Sequence, residues 1–174
     1  MIELYKPDMY QKDIYTIDYK KVKAYGIKCI LFDLDNTLVY PSTKKPSRKT
    51  KDLIEKLKDM GFKIIIFSNA NRKRLKPFKK VLEVDCAASS MKPFKKKFIK
   101  VLTEYKYNEG EVAIIGDQII TDIYGGNRVG IFTILTNPLT KKELIWTKFN
   151  RILERKKIRM LERKKLFKRG DYYE

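Results

Sequence analysis

The sequence predicts an α/β fold of the open, doubly wound type, in which helices cover both faces of a mostly parallel sheet. Three observations predict it: short apolar runs fit buried strands, segments of helical spacing alternate with these runs, and polar residues follow the runs where a strand would end. Strands joined through helices pair in parallel, because a parallel pair needs a long crossover connection. The length of 174 residues suits one such domain.

Five apolar runs are the predicted strands. They cover residues 29–32, 63–67, 84–87, 112–115 and 131–135. The predicted helices lie at about 18–25, from Ser47 or Thr50 to Met60, around 75–82, from Lys92 to Leu102, from Thr121 to Asn127, and from Lys141 onward. Ser47 and Thr50 are alternative caps of the second helix, because hydroxyl residues typically precede a helical apolar stripe.

The composition limits the chemistry that the chain can perform. It has 40 Lys and Arg against 21 Asp and Glu, a net charge of +19, and no His, which excludes His-based catalysis and imidazole zinc sites. Cys29 and Cys86 lack metal-ligand spacing, so we interpret them as inert core thiols of a reducing cytoplasm. The positive charge indicates phosphate-rich partners, which include nucleic acid, an anionic membrane surface and a phosphorylated substrate.

Polar residues follow three of the predicted strands directly. Asp33 and Asp35 come after the first strand, Ser68 and Asn69 after the second, and Asp117 after the fourth. Residues two apart in an extended segment project to the same side, so the first two carboxylates point together. In an open parallel sheet the ligand lies outside the carboxyl ends of the strands, where we expect these side chains to converge.

Such a set of residues suits phosphoryl transfer. Three carboxylates without His or Cys favour a hard cation, most simply Mg²⁺. Ser68 and Asn69 could donate hydrogen bonds to a phosphoryl group, and Lys92, which precedes a predicted helix, offers it a positive charge. Taken singly, Asp and Asn are common turn formers, and Lys92 is one lysine among many; the ordered combination favours a catalytic site.

The ordered motifs resemble the haloacid dehalogenase superfamily of phosphatases. They are Asp33-Leu-Asp35-Asn-Thr37, Ser68-Asn69, Lys92-Pro93 and Gly116-Asp117-Gln-Ile-Ile-Thr-Asp122. The resemblance implies that Asp33 is a nucleophile that becomes aspartyl-phosphate, that Asp35 is the acid–base, and that Thr37 steadies the loop. It also implies phosphate binding by Ser68, Asn69, Lys92 and Thr37, with Lys92 as a catalytic residue that neutralises the charge of nucleophile and phosphate. Mg²⁺ binding is implied for Asp33, the Asp35 main-chain oxygen and Asp117, with Asp122 in the outer shell.

A more specific resemblance is to the YqeG branch, subfamily IIIA. It rests on Asp-Leu-Asp-Asn-Thr-Leu-Val, Ser-Asn-Ala-Asn-Arg, Lys-Pro-Phe and Gly-Gly-Asn-Arg, and it covers nearly the whole chain. That branch is similar to the phosphatidylglycerophosphate phosphatases of mitochondria and plastids. Ala70 departs from the pattern, where a third small polar residue is expected. The implied substrate is a phosphorylated lipid head group.

We expect a single domain with three parts: an N-terminal extension (1–27), a catalytic core (28–138) and a basic helical tail (139–174). The intervals between Thr37 and Ser68, and between Asn69 and Lys92, are too short for an inserted cap domain. The site should therefore be open, which suits a phosphate on something large or on a surface.

The tail carries eleven Lys or Arg and two Glu between Lys148 and Arg169. We interpret its first turns as packing on the core through Trp146 and Phe149, and its later part as a basic amphipathic stretch that lies on an anionic membrane. Removal from about Arg155 onward should then spare the chemistry. We predict a cytoplasmic protein, peripheral on the inner face of the cell membrane, without a transmembrane segment.

Two other functions are compatible with the sequence. The first is an RNA- or ribosome-associated protein with weak phosphatase activity, whose tail binds nucleic acid. The second is a soluble phosphatase for small metabolites, which the missing cap disfavours. A merely solvated tail helix is the alternative to membrane binding.

Overall fold

The computed structural model describes residues 2–140 and 145–174, with side chains from 152 onward in the second range. Its strands are β1 (Met9–Gln11), β2 (Cys29–Phe32), β3 (Lys63–Phe67), β4 (Asp85–Ala87), β5 (Val112–Gly116) and β6 (Phe132–Thr136). Its α-helices are α1 (Tyr19–Ala24), α2 (Arg48–Asp59), α3 (Arg72–Leu82), α4 (Lys95–Tyr105), α5 (Gly125–Asn127) and α6 (Ile145–Arg163). Short 3₁₀ segments cover Ile2–Tyr5 and Glu109–Glu111, and a turn of π-helix covers Ile119–Tyr124.

The six strands form one sheet in the order β1-β6-β5-β2-β3-β4, and every pairing is parallel. The central strand β2 pairs with β3 through Cys29↔Lys63 and with β5 through Cys29↔Val112. Its four residues are all buried, as expected for a strand covered on both faces. The predicted doubly wound parallel sheet is confirmed.

Two apolar clusters fill the space between the sheet and its helices. One face of the sheet packs under α1, α2 and α3, with Phe32, Ile54 and Phe78 fully buried. The other face packs under α4, where Phe67 and Phe98 have ring centroids 4.6 Å apart. Helices therefore lie on both faces, and the carboxyl ends of the strands stay free for a site.

Local signals place most helix starts where the sequence predicts them. Asp18 caps α1 by accepting hydrogen bonds from the backbone N–H groups of Lys20 and Lys21. Ser47 rather than Thr50 caps α2, and its hydroxyl oxygen accepts a hydrogen bond from the backbone N–H of Thr50. The fourth helix begins at Lys95 rather than at Lys92, so Lys92 belongs to the loop before the helix.

The N-terminal extension does more than pack on the core. Met9–Gln11 forms the edge strand β1, which pairs with β6 through Tyr10↔Leu135. Tyr10 also pairs with Tyr173 near the C-terminus through two backbone hydrogen bonds of 2.8 and 3.0 Å. The two ends of the chain thus complete one side of the sheet together.

The C-terminal helix differs from the predicted membrane-lying segment. Ile158, Leu161 and Phe167 are 6%, 0% and 4% exposed, and they form a third apolar cluster with residues that include Tyr10 and Ile123. These three side chains therefore face the protein, and the expectation that the apolar face of the tail lies on a membrane is wrong for them. Ile152, Leu153 and Met160 of α6 are 59%, 41% and 38% exposed. The predicted contacts of Trp146 and Phe149 lie outside the described side chains.

Within residues 2–140 and 145–174, no inserted unit follows the first or second motif, so no cap domain is evident. The same ranges contain no helix with the length and apolarity to cross a bilayer.

Candidate active site

The site begins where β2 ends. Asp33 follows Phe32 directly and is 7% exposed, with its backbone N–H bonded to the carbonyl of Ile115 on β5 at 2.9 Å. Asn36 turns the chain with a positive φ of 68°, a conformation that Asn tolerates better than most residues. The following residue, Thr37, is buried and points back into the site.

Lys92 joins two of the candidate carboxylates. Its ammonium group donates to Asp33 Oδ1 at 2.7 Å and to Asp122 Oδ1 at 2.6 Å, and its side chain is 2% exposed. A buried ammonium group between two carboxylates pairs with both of them. This pairing lowers the free-energy cost that each of these charges would have if it were buried alone. The structure therefore brings Lys92 to Asp33 although 59 residues separate them.

Asp117 and Asp122 come to the same point from the loop after β5. Both are 0% exposed, and the hydroxyl of Thr37 lies 3.5 Å from Asp117 Oδ1. Asp122 Oδ2 accepts the backbone N–H of Gln118 at 3.1 Å. The tight approach depends on Gly116, where an added Cβ would lie 2.2 Å from the Asp122 carboxyl carbon.

Electrostatics within the cluster follow from burial and opposite charge. Burial raises the pKa of Asp33 to about 6, while Lys92 acts in the opposite direction and Asp122 adds to the rise. Burial alone would lower the pKa of Lys92, but the carboxylates of Asp122 and Asp33 outweigh it and hold that pKa above its ordinary value. Lys92 is therefore a permanent cation of the site.

Ser68 and Asn69 follow β3, as predicted, but they differ in what they contact. Ser68 is buried, and its hydroxyl oxygen accepts the N–H of Ala70 at 3.2 Å. Asn69 uses its side chain on the loop that carries Lys92: its Oδ1 accepts from Lys92 N at 2.7 Å and from the Ser90 hydroxyl at 3.0 Å, and its Nδ2 donates to Lys92 O at 3.1 Å. Its observed contacts are those of a residue that positions Lys92.

The side chain of Asp35 pairs with a cation other than Lys92. It is 27% exposed and pairs with Arg74 of α3, at 2.6 Å from Nη2 and 3.3 Å from Nε. Arg74 also donates to the backbone carbonyls of Tyr40 and Thr43, so it ties the loop after the first motif to α3. Sequence reasoning missed Arg74, which stands five residues after Asn69 among several other cations.

A second residue that sequence reasoning missed is Glu154. It is 3% exposed on α6, and its Oε1 accepts the backbone N–H of Ile119 at 2.7 Å, two residues after Asp117. An acid among the many Lys and Arg of a predicted helix is the signal that could have marked it. The tail helix is therefore anchored to the loop that carries Asp117 and Asp122.

The donor set fits a hard divalent cation. Asp33, Asp117 and Asp122 each offer an oxygen, and these oxygens lie within 4.8 Å of one another without His or Cys. Asp122 has both oxygens engaged, by Lys92 and Gln118, whereas only Oδ1 of Asp33 is bonded to Lys92. The Asp35 carbonyl accepts no hydrogen bond from the described residues. By this measure, Asp33 and that carbonyl are better placed than Asp122 to take a cation.

Comparison with known proteins agrees with this geometry. A protein-family model described as mitochondrial PGP phosphatase matches residues 2–140. The chain is 35% identical over 162 residues to the probable phosphatase YqeG of Bacillus subtilis (strain 168), which covers 93% of this chain and 94% of that protein. It is 32% identical over 146 residues to phosphatidylglycerophosphate phosphatase 1, chloroplastic/mitochondrial, of Arabidopsis thaliana. That match covers 79% of this chain and 42% of the plant protein.

Solved structures show the same fold. A HAD superfamily (subfamily III A) hydrolase from Legionella pneumophila has a TM-score of 0.53 at 19% identity. The likeness covers 69% of this chain and 70% of that one. The 3-deoxy-D-manno-octulosonate 8-phosphate phosphatase of Moraxella catarrhalis, solved with magnesium and phosphate ions, has a TM-score of 0.55 at 18% identity. That likeness covers 72% of this chain and 76% of the other.

Proposed function

Because this chain is a phosphatase that belongs to the PGP phosphatase family of the haloacid dehalogenase superfamily, we propose that it hydrolyses phosphomonoesters through an aspartyl-phosphate on Asp33 with the help of Mg²⁺. The finer proposal is that its substrate is phosphatidylglycerophosphate at an anionic membrane surface. The observation that carries the chemistry is the buried contact of Lys92 with Asp33 and Asp122, beside Asp117.

The chain's own residues account for each step of the reaction. A carboxylate oxygen of Asp33 attacks phosphorus, a P–O bond forms, and the bond from phosphorus to the ester oxygen breaks. Asp35 gives its proton to the departing alkoxide. It then takes a proton from a water whose oxygen bonds to phosphorus, the bond from phosphorus to the Asp33 oxygen breaks, and inorganic phosphate leaves. Lys92 and Ser68 stabilise charge on the phosphoryl oxygens. For this acid–base role, the Asp35 side chain must either rotate away from Arg74 or share the Arg74 guanidinium group with the substrate.

Asp33, Asp117 and the carbonyl of Asp35 would hold Mg²⁺, and Asp122 would support them from the outer shell. When bound, Mg²⁺ supplies positive charge to the phosphoryl group as it approaches the carboxylates. The fit rests on the all-oxygen donor set and on the oxygen of Asp33 that Lys92 does not contact.

Three observations support a lipid substrate. Two curated relatives, from Arabidopsis thaliana and Chlamydomonas reinhardtii, carry the name phosphatidylglycerophosphate phosphatase, although the chain spans only 42% and 53% of their lengths. The described chain has no inserted cap that would close the site over a small metabolite. The net charge of +19 favours an anionic surface. The exposed cations of α6, such as Lys156 and Arg159, would face such a surface while Ile158 and Leu161 stay on the protein.

A phosphate-release screen with Mg²⁺ tests the proposal. It should include phosphatidylglycerophosphate in vesicles, a soluble phosphate ester and small sugar phosphates, with Asp33→Asn as the control variant. We expect release from phosphatidylglycerophosphate, and a loss of at least about a thousandfold in Asp33→Asn, equivalent to roughly 4 kcal/mol in the barrier. Comparable rates in the variant would contradict the role of Asp33. A preference for sugar phosphates would contradict the lipid substrate alone.

A further inference from the structure

A groove of about 500 Å³ lies outside the carboxylate cluster, on the free edge of the sheet. Its base is β4, the last strand in the sheet order, which has a neighbour on one side only. Helix α3 packs on one face of the sheet and α4 on the other, so the groove runs between two helices along the strand edge.

Both rims of the groove carry cations. Arg72, Lys76 and Lys79 line it from α3 at spacings of four and three residues, which places them on one side of that helix. Lys97 and Lys100 line it from α4, three residues apart. None of the five forms an ion pair within 4 Å with the described part of the chain. The one carboxylate among the lining residues is Glu104, toward the end of α4.

The floor between these rims is apolar and made largely of small side chains. Cys86, Ala87 and Ala88 are half-buried along the strand edge, and the buried side chains of Leu75 and Val101 flank them. Small residues leave room above the strand that larger ones would fill. A ligand of this groove would therefore combine negative charge with an apolar portion.

The groove begins beside the loops that form the candidate active site. The backbone N–H of Ser68 bonds to the carbonyl of Ala87 at 3.1 Å, so the start of the second motif abuts the groove floor. From Ala88 the chain runs through three residues to Lys92, whose backbone is held by Asn69. A molecule lying in the groove would thus have one end at the residues that carry the phosphate-binding groups.

We propose that this groove binds an anionic phospholipid, with the phosphate of the head group between the lysine rims and the first part of an acyl chain on the apolar floor. This inference rests on the proposed function, because it supplies the membrane contact of a phosphatase for lipid head groups. A nucleic acid would leave the apolar floor unused. An added peptide strand would find only the three residues of β4, which offer few backbone hydrogen bonds.

Vesicle co-sedimentation of the full chain tests the groove without relying on catalysis. The test variant is Lys76→Glu/Lys100→Glu, which reverses one cation on each rim. The control is Lys20→Glu/Lys56→Glu, which makes the same charge change at exposed positions of α1 and α2. With phosphatidylglycerol vesicles we expect the groove variant to lose at least about tenfold in affinity, since each nearby cation contributes appreciably to such binding. The control should lose less than about threefold, through long-range attraction alone.

A second measurement reports on occupancy of the groove itself. Cys86 lies in the floor, whereas Cys29 is fully buried and serves as the internal reference for thiol labelling. Phosphatidylglycerol vesicles, and short-chain phosphatidylglycerol below its micelle concentration, should slow labelling of Cys86. Phosphatidylcholine vesicles, glycerol phosphate, polyuridylate and polyglutamate should not. Equal protection by polyuridylate or polyglutamate would overturn the lipid assignment.

The outcomes separate this inference from the proposed function. Equal loss of vesicle binding in both double variants would show that binding depends only on the overall charge. It would overturn the proposed binding of phospholipid in the groove. Undiminished binding in a groove variant with a wild-type melting temperature would overturn it as well. Failure of the wild-type chain to release phosphate from any ester would instead contradict the proposed function, and the sedimentation and labelling results would stand independently.

Discussion

Removal of residues 155–174 should destabilise the whole protein rather than merely detach it from a membrane. The deletion takes away Ile158, Leu161 and Phe167, which are 6%, 0% and 4% exposed. Burial of each such side chain contributes about 1.5–3 kcal/mol, so the three contribute roughly 5–9 kcal/mol, an upper estimate because unfolded chains are partly compact. That is comparable with the total stability of about 5–15 kcal/mol that typical domains have.

The deletion also exposes partners that remain in the core. Ile119 and Ile123 belong to the same cluster, and they follow Asp117 on the loop that forms the site. The backbone bonds between Tyr10 and Tyr173 would be lost, which would loosen the edge strand β1. We therefore expect turnover of a soluble ester to fall together with turnover on vesicles, which reverses the expectation from sequence.

Thermal unfolding by circular dichroism and hydrolysis of a soluble phosphate ester measure the two effects. Leu161→Ala is a milder version, and it should cost about 2–5 kcal/mol because its side chain is fully buried. The matched control is Lys156→Glu/Arg159→Glu, which changes the charge of α6 at exposed positions and should leave the melting temperature nearly unchanged. A truncated chain that melts within a few degrees of the full chain and keeps its soluble activity would refute the reasoning.

Two further predictions concern the site. Turnover should require Mg²⁺ and stop in excess chelator. Asp117→Ala should raise the Mg²⁺ concentration needed for half-maximal rate by at least about tenfold, since a proposed ligand is lost. Full activity with chelator present would contradict the metal assignment. Gly116→Ala should cost about 1–3 kcal/mol of stability and lower turnover, because the new methyl group would lie 2.2 Å from the Asp122 carboxyl carbon. Gly110→Ala is its control, where an added Cβ meets nothing within 4 Å. Equal melting temperatures and rates in the two glycine variants would show that the loop relaxes freely.

The central strands could be predicted because their signal is local. Cys29–Phe32 and Lys63–Phe67 are short, wholly apolar or nearly so, and bounded by polar residues, and the structure has both strands with those bounds. The edge strand Met9–Gln11 could not be predicted in this way. Its three residues show no alternation of apolar and polar side chains, and they become a strand only through pairing with β6, more than a hundred residues later. Edge pairing of this kind is a tertiary effect that no local pattern reports.

The convergence of the candidate site was also predictable, because parallel strands bring their carboxyl ends to one edge. The individual contacts were not. Asp33, Asp35 and Asp117 stand where the strand-end rule places them, but the rule says nothing of Arg74, which forms an ion pair with Asp35. The tail illustrates the same limit. An amphipathic pattern indicates that a helix has an apolar face, but only the structure shows that Leu161 on this face packs against the protein core.

The charge balance of the site explains why an acidic crevice suits such a basic protein. Asp33, Asp117 and Asp122 are three buried carboxylates whose oxygens lie within 4.8 Å of one another, and Lys92 contacts two of them, Asp33 and Asp122. Like charges held this close in a buried site are costly, and a bound cation lowers that cost. A divalent ion removes that cost and lets a phosphate approach carboxylates that would otherwise repel it. Cations elsewhere on the surface can then attract the substrate over distances of about a Debye length. Under the proposed function, the basic surface would first attract the anionic substrate, and the acidic cluster with its cation would then carry out the reaction.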